Sequence, residues 1–169
     1  MRHKSNSIIY FLIFLMVLSA CEFFDEDEKP TKFTPNEFEL KVFELTNTER
    51  AKHGLPPLIW HDSLAIAARG HSEDQMFNNI TGHTGSDGST VRQRIERAGI
   101  TGLRAWAENC AYGYSTPEAV IAGWMDSPGH RANILNATVT HLGVGYVTRA
   151  QGVTSQYNIY WTQKFCAFF

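Results

Sequence analysis

Three side chains of this sequence belong to the residue types that bind metal ions or transfer protons. His83 lies in a segment rich in Gly, Ser and Thr, residues 81–88, whose composition predicts a loop. Glu108 lies among apolar residues, where a carboxylate needs a partner such as a metal ion or an imidazole. His130 follows a Pro-Gly turn at the end of a predicted helix. Because loops held by a scaffold often carry functional side chains, these three residues form the candidate site.

The chemistry of this set depends on whether a metal is bound. Two neutral imidazoles and one carboxylate form a common zinc site with an open position, where bound water could become hydroxide near neutral pH. His83 and His130 would then be the metal ligands, and Glu108 a ligand or a general base. The alternative is a hydrogen-bonded His–Glu–His cluster that shapes a binding site without metal. The residues alone leave both open, because the histidines are far apart in the sequence.

Three further residues lie near the candidate site in the sequence. Asp126 could pair with Glu108 as the two carboxylates of a glycosidase. Ser127 precedes His130 by one helical turn, but no third residue orients the imidazole as a Ser–His hydrolase requires. His71 is expected to be a core or site-edge histidine, because it lies on a helical face that begins with Leu64.

The elements that must position these residues form one predicted domain, residues 34–169. Capping signals and helical periodicity predict four helices, which begin at the Thr34-Pro35-Asn36-Glu37 capping box, at 62, at 89 and at 115. Strand patterns are concentrated late, in residues 142–148 and 157–165. Helices first and antiparallel strands last predict the α+β class. The tryptophans are expected to pack in the core: Trp106, Trp124 and Trp161.

Composition and charge limit the classes of partner. The chain has 15 Lys+Arg and 17 Asp+Glu among 169 residues, so it offers no broad cationic field for nucleic acid. After the first 20 residues no long apolar run remains, which excludes a polytopic membrane protein.

The N-terminus predicts export and a lipid anchor. Residues 1–20 combine a basic head with the apolar run Ile8–Leu18, which is too short to span a bilayer and fits a signal peptide. The sequence Leu18-Ser19-Ala20-Cys21 resembles the lipobox of bacterial lipoproteins, so Cys21 is the expected lipidation site and holds the protein at a membrane.

The segment 21–33 is an acidic tether between the expected anchor and the domain. It is either a solvated linker or, since it resembles the export signal of surface-exposed lipoproteins in some Gram-negative bacteria, a sorting signal. In an oxidising compartment the two remaining cysteines, Cys110 and Cys166, are candidates for a disulfide. Two buried free thiols are the alternative.

Several motifs together resemble the CAP superfamily of cysteine-rich secretory, antigen 5 and pathogenesis-related 1 proteins, most closely its bacterial SCP-like extracellular branch. The motifs occur in the family's order and spacing: Asn47–Arg50, Trp60, His83, Ala107–Asn109, Trp124, Ser127–Leu135, Gly143–Gly145 and Tyr160–Gln163. The resemblance implies an α-β-α sandwich with a three-stranded antiparallel sheet between helical layers. It also implies a cleft lined by two histidines and two acidic residues, which holds a divalent cation in several members.

The family motif matches His83, Glu108 and His130 to three of those four positions. The fourth departs, since Ser127 stands where many eukaryotic members carry glutamate and Asp126 lies one residue earlier. We expect an exported, lipid-anchored binding module for a peptide, glycan or lipid of the cell envelope. The alternative is a metal-dependent hydrolase of the peptidase type. The expected cation is zinc, held by His83 and His130.

Overall fold

The computed structural model describes residues 33–169. The predicted signal peptide, the lipidation site Cys21 and the acidic tether up to residue 32 lie outside the described residues, so these remain predictions. Within 33–169, no helix combines the length and apolar character needed to cross a membrane.

The described chain mixes helices and strands as the sequence predicts. Its helices are α1 (Glu37–Lys52), α2 (Asp62–Asn78), α3 (Val91–Arg97), α4 (Pro117–Asp126) and α5 (Pro128–Ile134). Its strands are β1 (Ile59–Trp60), β2 (Leu103–Tyr112), β3 (His141–Thr148) and β4 (Ile159–Phe168). The α+β class is therefore confirmed.

The strands form one sheet with the order β1-β3-β4-β2. Strands β3, β4 and β2 are antiparallel neighbours, as predicted, but the two-residue β1 adds a fourth strand, parallel to β3. The prediction of three strands is corrected on this point. Strand β1 forms because the backbone N–H groups of Ile59 and His61 donate to carbonyl oxygens of Thr140 and Leu142 at 2.9 and 3.0 Å.

Helices cover both faces of the sheet and produce the sandwich. Helix α2 packs on β3 and β4, while α1 packs on β3 and on α4. The core on the α1 side contains Trp124 and Trp161, as expected. Trp106 is 41% exposed, which corrects the prediction that it packs in the core.

Two glycines of β3 allow α2 to approach the sheet at backbone distance. A Cβ atom on Gly143 would lie 2.1 Å from the backbone nitrogen of Ala65, and one on Gly145 would lie 2.2 Å from that of Arg69. Neither position has room for a methyl group, since the obstructing atoms belong to the helix backbone. This contact fixes α2, and with it His71, against the sheet.

Two local predictions need correction. Helix α1 is capped by Asn36, whose side chain accepts from the N–H of Glu39, so the capping box lies two residues after the predicted one. Asparagine is at least as good a cap as Thr34, and the shift makes Glu39 the reciprocal partner. The Pro-Gly turn before His130 is the first turn of α5, because Pro128 at the first helical position has no N–H to satisfy.

The close contact of α2 with β3 makes a stability prediction. We expect Gly143→Ala to reduce the free energy of unfolding by about 3 kcal/mol or more, because the methyl group would overlap backbone atoms. The control is Gly70→Ala on the open side of α2, which should stabilise the domain by about 0.5–1 kcal/mol. Urea unfolding of both variants measures the difference. Equal stability of Gly143→Ala and wild type would contradict the packing described.

Candidate functional site

Glu108 is a buried carboxylate whose two oxygens are both occupied. Its side chain is only 1% exposed, and Lys164, which is fully buried, donates a hydrogen bond to Oε2. Arg94 donates to Oε2 at 3.0 Å and to Oε1 at 3.2 Å. His83 Nδ1 lies 2.9 Å from Oε1, although the His83 side chain is 54% exposed. Glu108 thus connects an outward-facing imidazole to two cations beneath it.

The register between β2 and β4 places Glu108 next to Lys164. Glu108 on β2 lies directly opposite Lys164 on β4, and both side chains point to the face of the sheet that α2 covers. Arg94 reaches the pair from α3 and also donates to the carbonyl oxygens of Ser89 and His83 at 2.7 and 2.8 Å. The guanidinium therefore fixes the loop that carries His83 as well as the carboxylate that this histidine contacts.

The loop that carries His83 is held to α2 through Gly82. Its carbonyl oxygen accepts from His71 Nε2 at 3.0 Å and from Gln75 Nε2 at 2.8 Å. The N–H of Gly82 donates to the Tyr112 hydroxyl at 2.6 Å. The prediction that His83 lies outside regular structure is confirmed, yet the loop has fixed contacts at its base.

The charges around Glu108 keep it ionised. Burial alone would raise the pKa of Glu108, but the hydrogen bond from His83 and the charge of Lys164 outweigh it and hold this pKa far below its usual range. Burial lowers the pKa of Lys164, and the adjacent carboxylate opposes that shift. Burial, reinforced by Glu108, raises the pKa of the Cys110 thiol, which therefore stays protonated at neutral pH.

The backbone of His130 is held by Asn109 on the other face of β2. Asn109, the residue after Glu108, points to the α1 side and donates to the carbonyl oxygen of His130 at 3.2 Å. Asn133 of α5 donates to Asn109 Oδ1 at 2.8 Å, so α5 is fixed to the edge strand. Burial, and to a smaller extent the charge of His83, lowers the pKa of His130. The structure therefore brings His83 and Glu108 together and holds the backbone of His130 on the next residue of the same strand, while the place of the His130 ring in the site stays a prediction.

Asp126 and Ser127 are not joined to this group. Asp126 is exposed and is the last residue of α4, so the helix has not unwound before it. Ser127 is half-buried and caps α5 without a side-chain hydrogen bond. Within residues 33–169, no hydrogen bond or ion pair links either side chain to the candidate site. Their predicted place in the site stays a prediction.

A second set of metal-binding atoms lies beneath the histidines. Ligand atoms of His71, Glu108 and Cys110 all lie within 4.8 Å of one another, and all three residues are buried. His71 Nε2 and Cys110 Sγ each lie 3.6 Å from Glu108 Oε1. This group could hold a metal by geometry. Its atoms are already engaged, however, because His71 Nε2 donates to Gly82 and the thiol keeps its proton.

The prediction of a disulfide between Cys110 and Cys166 is wrong. Cys110 and Cys166 are both free and buried. Cys110 lies opposite Thr162 and Cys166 opposite Trp106, so the register separates the cysteines by four positions along the strands. That is about 13 Å, well beyond the roughly 7 Å that a disulfide allows between Cα atoms. Burial raises the pKa of Cys166 to about 11.

Sequence reasoning missed the cations that hold Glu108. No sequence motif marked Arg94 as a site residue, although it lies on the third predicted helix. Lys164 did carry a signal, because it alternates with Trp161 and Gln163 in a strand that is buried on both faces. A lysine in such a strand requires a carboxylate partner. His71 was expected at the core or the site edge, and it is buried 3.6 Å from Glu108.

Comparisons with known proteins agree on the domain. A family model described as the cysteine-rich secretory protein family, CAP, matches residues 43–165. Two Bacillus subtilis (strain 168) proteins are similar. The uncharacterized protein YkwD is 41% identical over 76% of this chain and 46% of its own length. The uncharacterized membrane protein YlbC is 40% identical over 70% of this chain and 34% of its own. The chain thus spans less than half the length of these curated relatives.

Solved structures share the architecture. An extracellular protein with an SCP domain from Bacillus anthracis is 35% identical with a TM-score of 0.67, over 79% of this chain and 44% of that one. An outer surface protein of Borrelia burgdorferi has a TM-score of 0.70 over 80% of this chain and 97% of its own. At 20% identity it shows a shared fold only.

The buried state of His71 makes a pH prediction. Burial lowers the pKa of His71 from 6.5, and the Glu108 charge opposes that shift, so the fold favours the neutral ring. Its contribution to stability is present above the unfolded value of 6.5 and is lost as the pH falls toward the folded pKa. We expect urea stability to fall below about pH 6.5, by at most about 1.4 kcal/mol per pH unit for this group.

The matched variant is His71→Gln, whose amide can still donate to Gly82. Because the pKa values of His130 and His141 are also lowered, the variant should keep a residual pH dependence and lose only part of the slope. Equal slopes in the two proteins would contradict the assignment to His71.

Proposed function

The chain belongs to the cysteine-rich secretory protein (CAP) family, and on that premise we propose that it is an exported, lipid-anchored module that binds a ligand at His83 and His130 without cleaving it. The proposed ligands are a peptide, a glycan or a lipid of the cell envelope. Nucleic acid is not expected, given the formal charge of −2.

The observation that carries this proposal is the state of Glu108. A general base needs an accessible lone pair and a pKa near the working pH. Glu108 is buried, both its oxygens accept hydrogen bonds from cations or an imidazole, and its pKa is held far below neutral. Among the contacts of residues 33–169, no other carboxylate reaches His83 or His130. The site therefore favours binding over hydrolysis.

The two imidazoles remain free to contact a ligand. Because Glu108 is ionised, the His83 Nδ1–H donates to it and leaves the Nε2 lone pair for a ligand hydroxyl or a zinc ion. Within the described residues, the His130 ring makes no hydrogen bond. A zinc ion here would be held by His83 and His130, with Glu108 orienting His83 rather than binding the metal.

A metal-dependent hydrolase is the second candidate, and one observation favours it. A carboxylate that accepts from one imidazole nitrogen while the other nitrogen faces outward is a common arrangement behind zinc ligands. When bound, zinc would polarise an oxygen of the ligand or of water. In that mechanism Glu108 fixes the orientation and tautomer of His83, and the base must come from another group.

Export and anchoring rest on the N-terminal sequence and on one relative. The similar Bacillus anthracis protein is extracellular by its description. The basic head, the apolar run and the Leu-Ser-Ala-Cys sequence support cleavage before Cys21 and its lipidation. The acidic residues that follow support either a spacer or a surface-sorting signal.

Zinc and soluble peptidoglycan fragments test the two candidate functions. We expect the fragments to bind wild type and to be recovered intact by mass spectrometry, with binding reduced at least about tenfold in His83→Ala and in His130→Ala, since each removes one of the two contacting rings. The control is His53→Ala, which removes an exposed histidine at the end of α1. Zinc-dependent cleavage of the fragments that both site variants lose would replace the binding module by the hydrolase. Fragments that bind all four proteins equally would exclude this site.

Replacement of the predicted lipid site tests the anchor. We expect the full chain to partition into the detergent phase of Triton X-114 and Cys21→Ser to partition into the aqueous phase, because it cannot be acylated. Cys110→Ser serves as the matched cysteine control. Equal partitioning of Cys21→Ser and wild type would exclude lipidation at this residue.

A further inference from the structure

The buried group beneath the histidines has ligand atoms close enough to hold a metal ion, but its carboxylate is paired with a buried lysine. We propose that Lys164 is a resident cation that occupies Glu108 in place of a metal ion and excludes divalent ions from a latent site formed by His71, Glu108 and Cys110. This inference concerns the buried side of Glu108 and does not depend on what the outer histidines bind.

The distances around Glu108 match those between zinc ligands. Zinc bonds of about 2.0–2.3 Å at tetrahedral angles place neighbouring ligand atoms about 3.3–3.8 Å apart. Glu108 Oε1 lies 3.6 Å from His71 Nε2 and 3.6 Å from Cys110 Sγ. An imidazole, a carboxylate and a thiolate are all ligands that zinc and cobalt accept.

Lys164 and Arg94 explain why a cation is disfavoured there. The Lys164 ammonium is fully buried on Glu108 Oε2, and Arg94, 10% exposed, contacts both carboxylate oxygens. A divalent ion at the latent site would add two positive charges beside these two, in a buried region where water screens them little. The only carboxylate in contact with these groups, among the described residues, is Glu108 itself.

The two cations have different structural roles. Arg94 also holds the carbonyl oxygens of Ser89 and His83, so it supports the loop. Within the described residues, Glu108 is the only hydrogen-bond partner of the Lys164 ammonium. Removing Lys164 therefore leaves the loop contacts in place and takes away one buried positive charge beside the latent site, while Arg94 still donates to both carboxylate oxygens. This makes Lys164, rather than Arg94, the residue that determines metal selectivity.

Cobalt(II) titration of purified wild type and Lys164→Met tests the inference. A cobalt–thiolate bond gives a charge-transfer absorption that histidine and carboxylate ligands do not, and coordination releases the thiol proton to the buffer. We expect no such band in wild type and a band that saturates at one equivalent in Lys164→Met. Cys110→Ser in the Lys164→Met background should abolish it.

Two further variants separate the alternatives. Lys164→Gln removes the charge but keeps a polar group, so this variant should also show the cobalt–thiolate band. It replaces Lys164→Met in the test if the methionine variant does not fold. His130→Ala combined with Lys164→Met should retain the band, which distinguishes this site from metal binding by the outer histidines. A thiolate band in wild type, or its absence in a Lys164 variant that still unfolds cooperatively, would overturn the inference.

Discussion

The ion pair between Lys164 and Glu108 is the interaction on which the site depends. It joins β4 to the edge strand β2 at directly opposed positions and is removed from solvent. Burying two charges is costly unless each is paired and hydrogen-bonded, and here Arg94 and His83 complete the hydrogen bonds of the carboxylate. His83, which lies in a loop, is thereby held in place by a carboxylate that is itself fixed within the sheet.

Adjacent residues of β2 connect the two halves of the site to opposite layers of the sandwich. Glu108 points to the α2 side and fixes His83, while Asn109 points to the α1 side and holds the backbone of His130. Asn109 also accepts from Asn133 and donates to Gln163 at 3.0 Å, so α5 is connected to the middle strand. The alternation of one strand therefore fixes the His83 ring from one layer and the His130 backbone from the other. A preformed arrangement of this kind suits recognition of a ligand.

The sequence predicts what is local and misses what depends on register. Helix α2 and the late strands follow from periodicity, and α4 from its Thr-Pro start. Strand β2 lacks regular alternation and α5 is only 7 residues long, so neither has a clear pattern. The resemblance supplied the grouping of His83, Glu108 and His130. The pairing of Glu108 with Lys164 and the separation of the two cysteines are set by which residues face each other across two strands. Spacing along the chain does not contain that information.

The first described residue shows where a mechanical load would enter the domain. The guanidinium of Arg69 lies over the Phe33 ring at 4.3 Å and is paired with buried Glu39, which also accepts from the N–H of Tyr146. A pull on the chain before Phe33 would therefore act on α1, α2 and β3 as one block. In the order β1-β3-β4-β2, the strand carrying Glu108 lies at the opposite edge of the sheet. The loop of His83 would feel such a load through α2 instead, because His71 and Gln75 of that helix hold the carbonyl oxygen of Gly82.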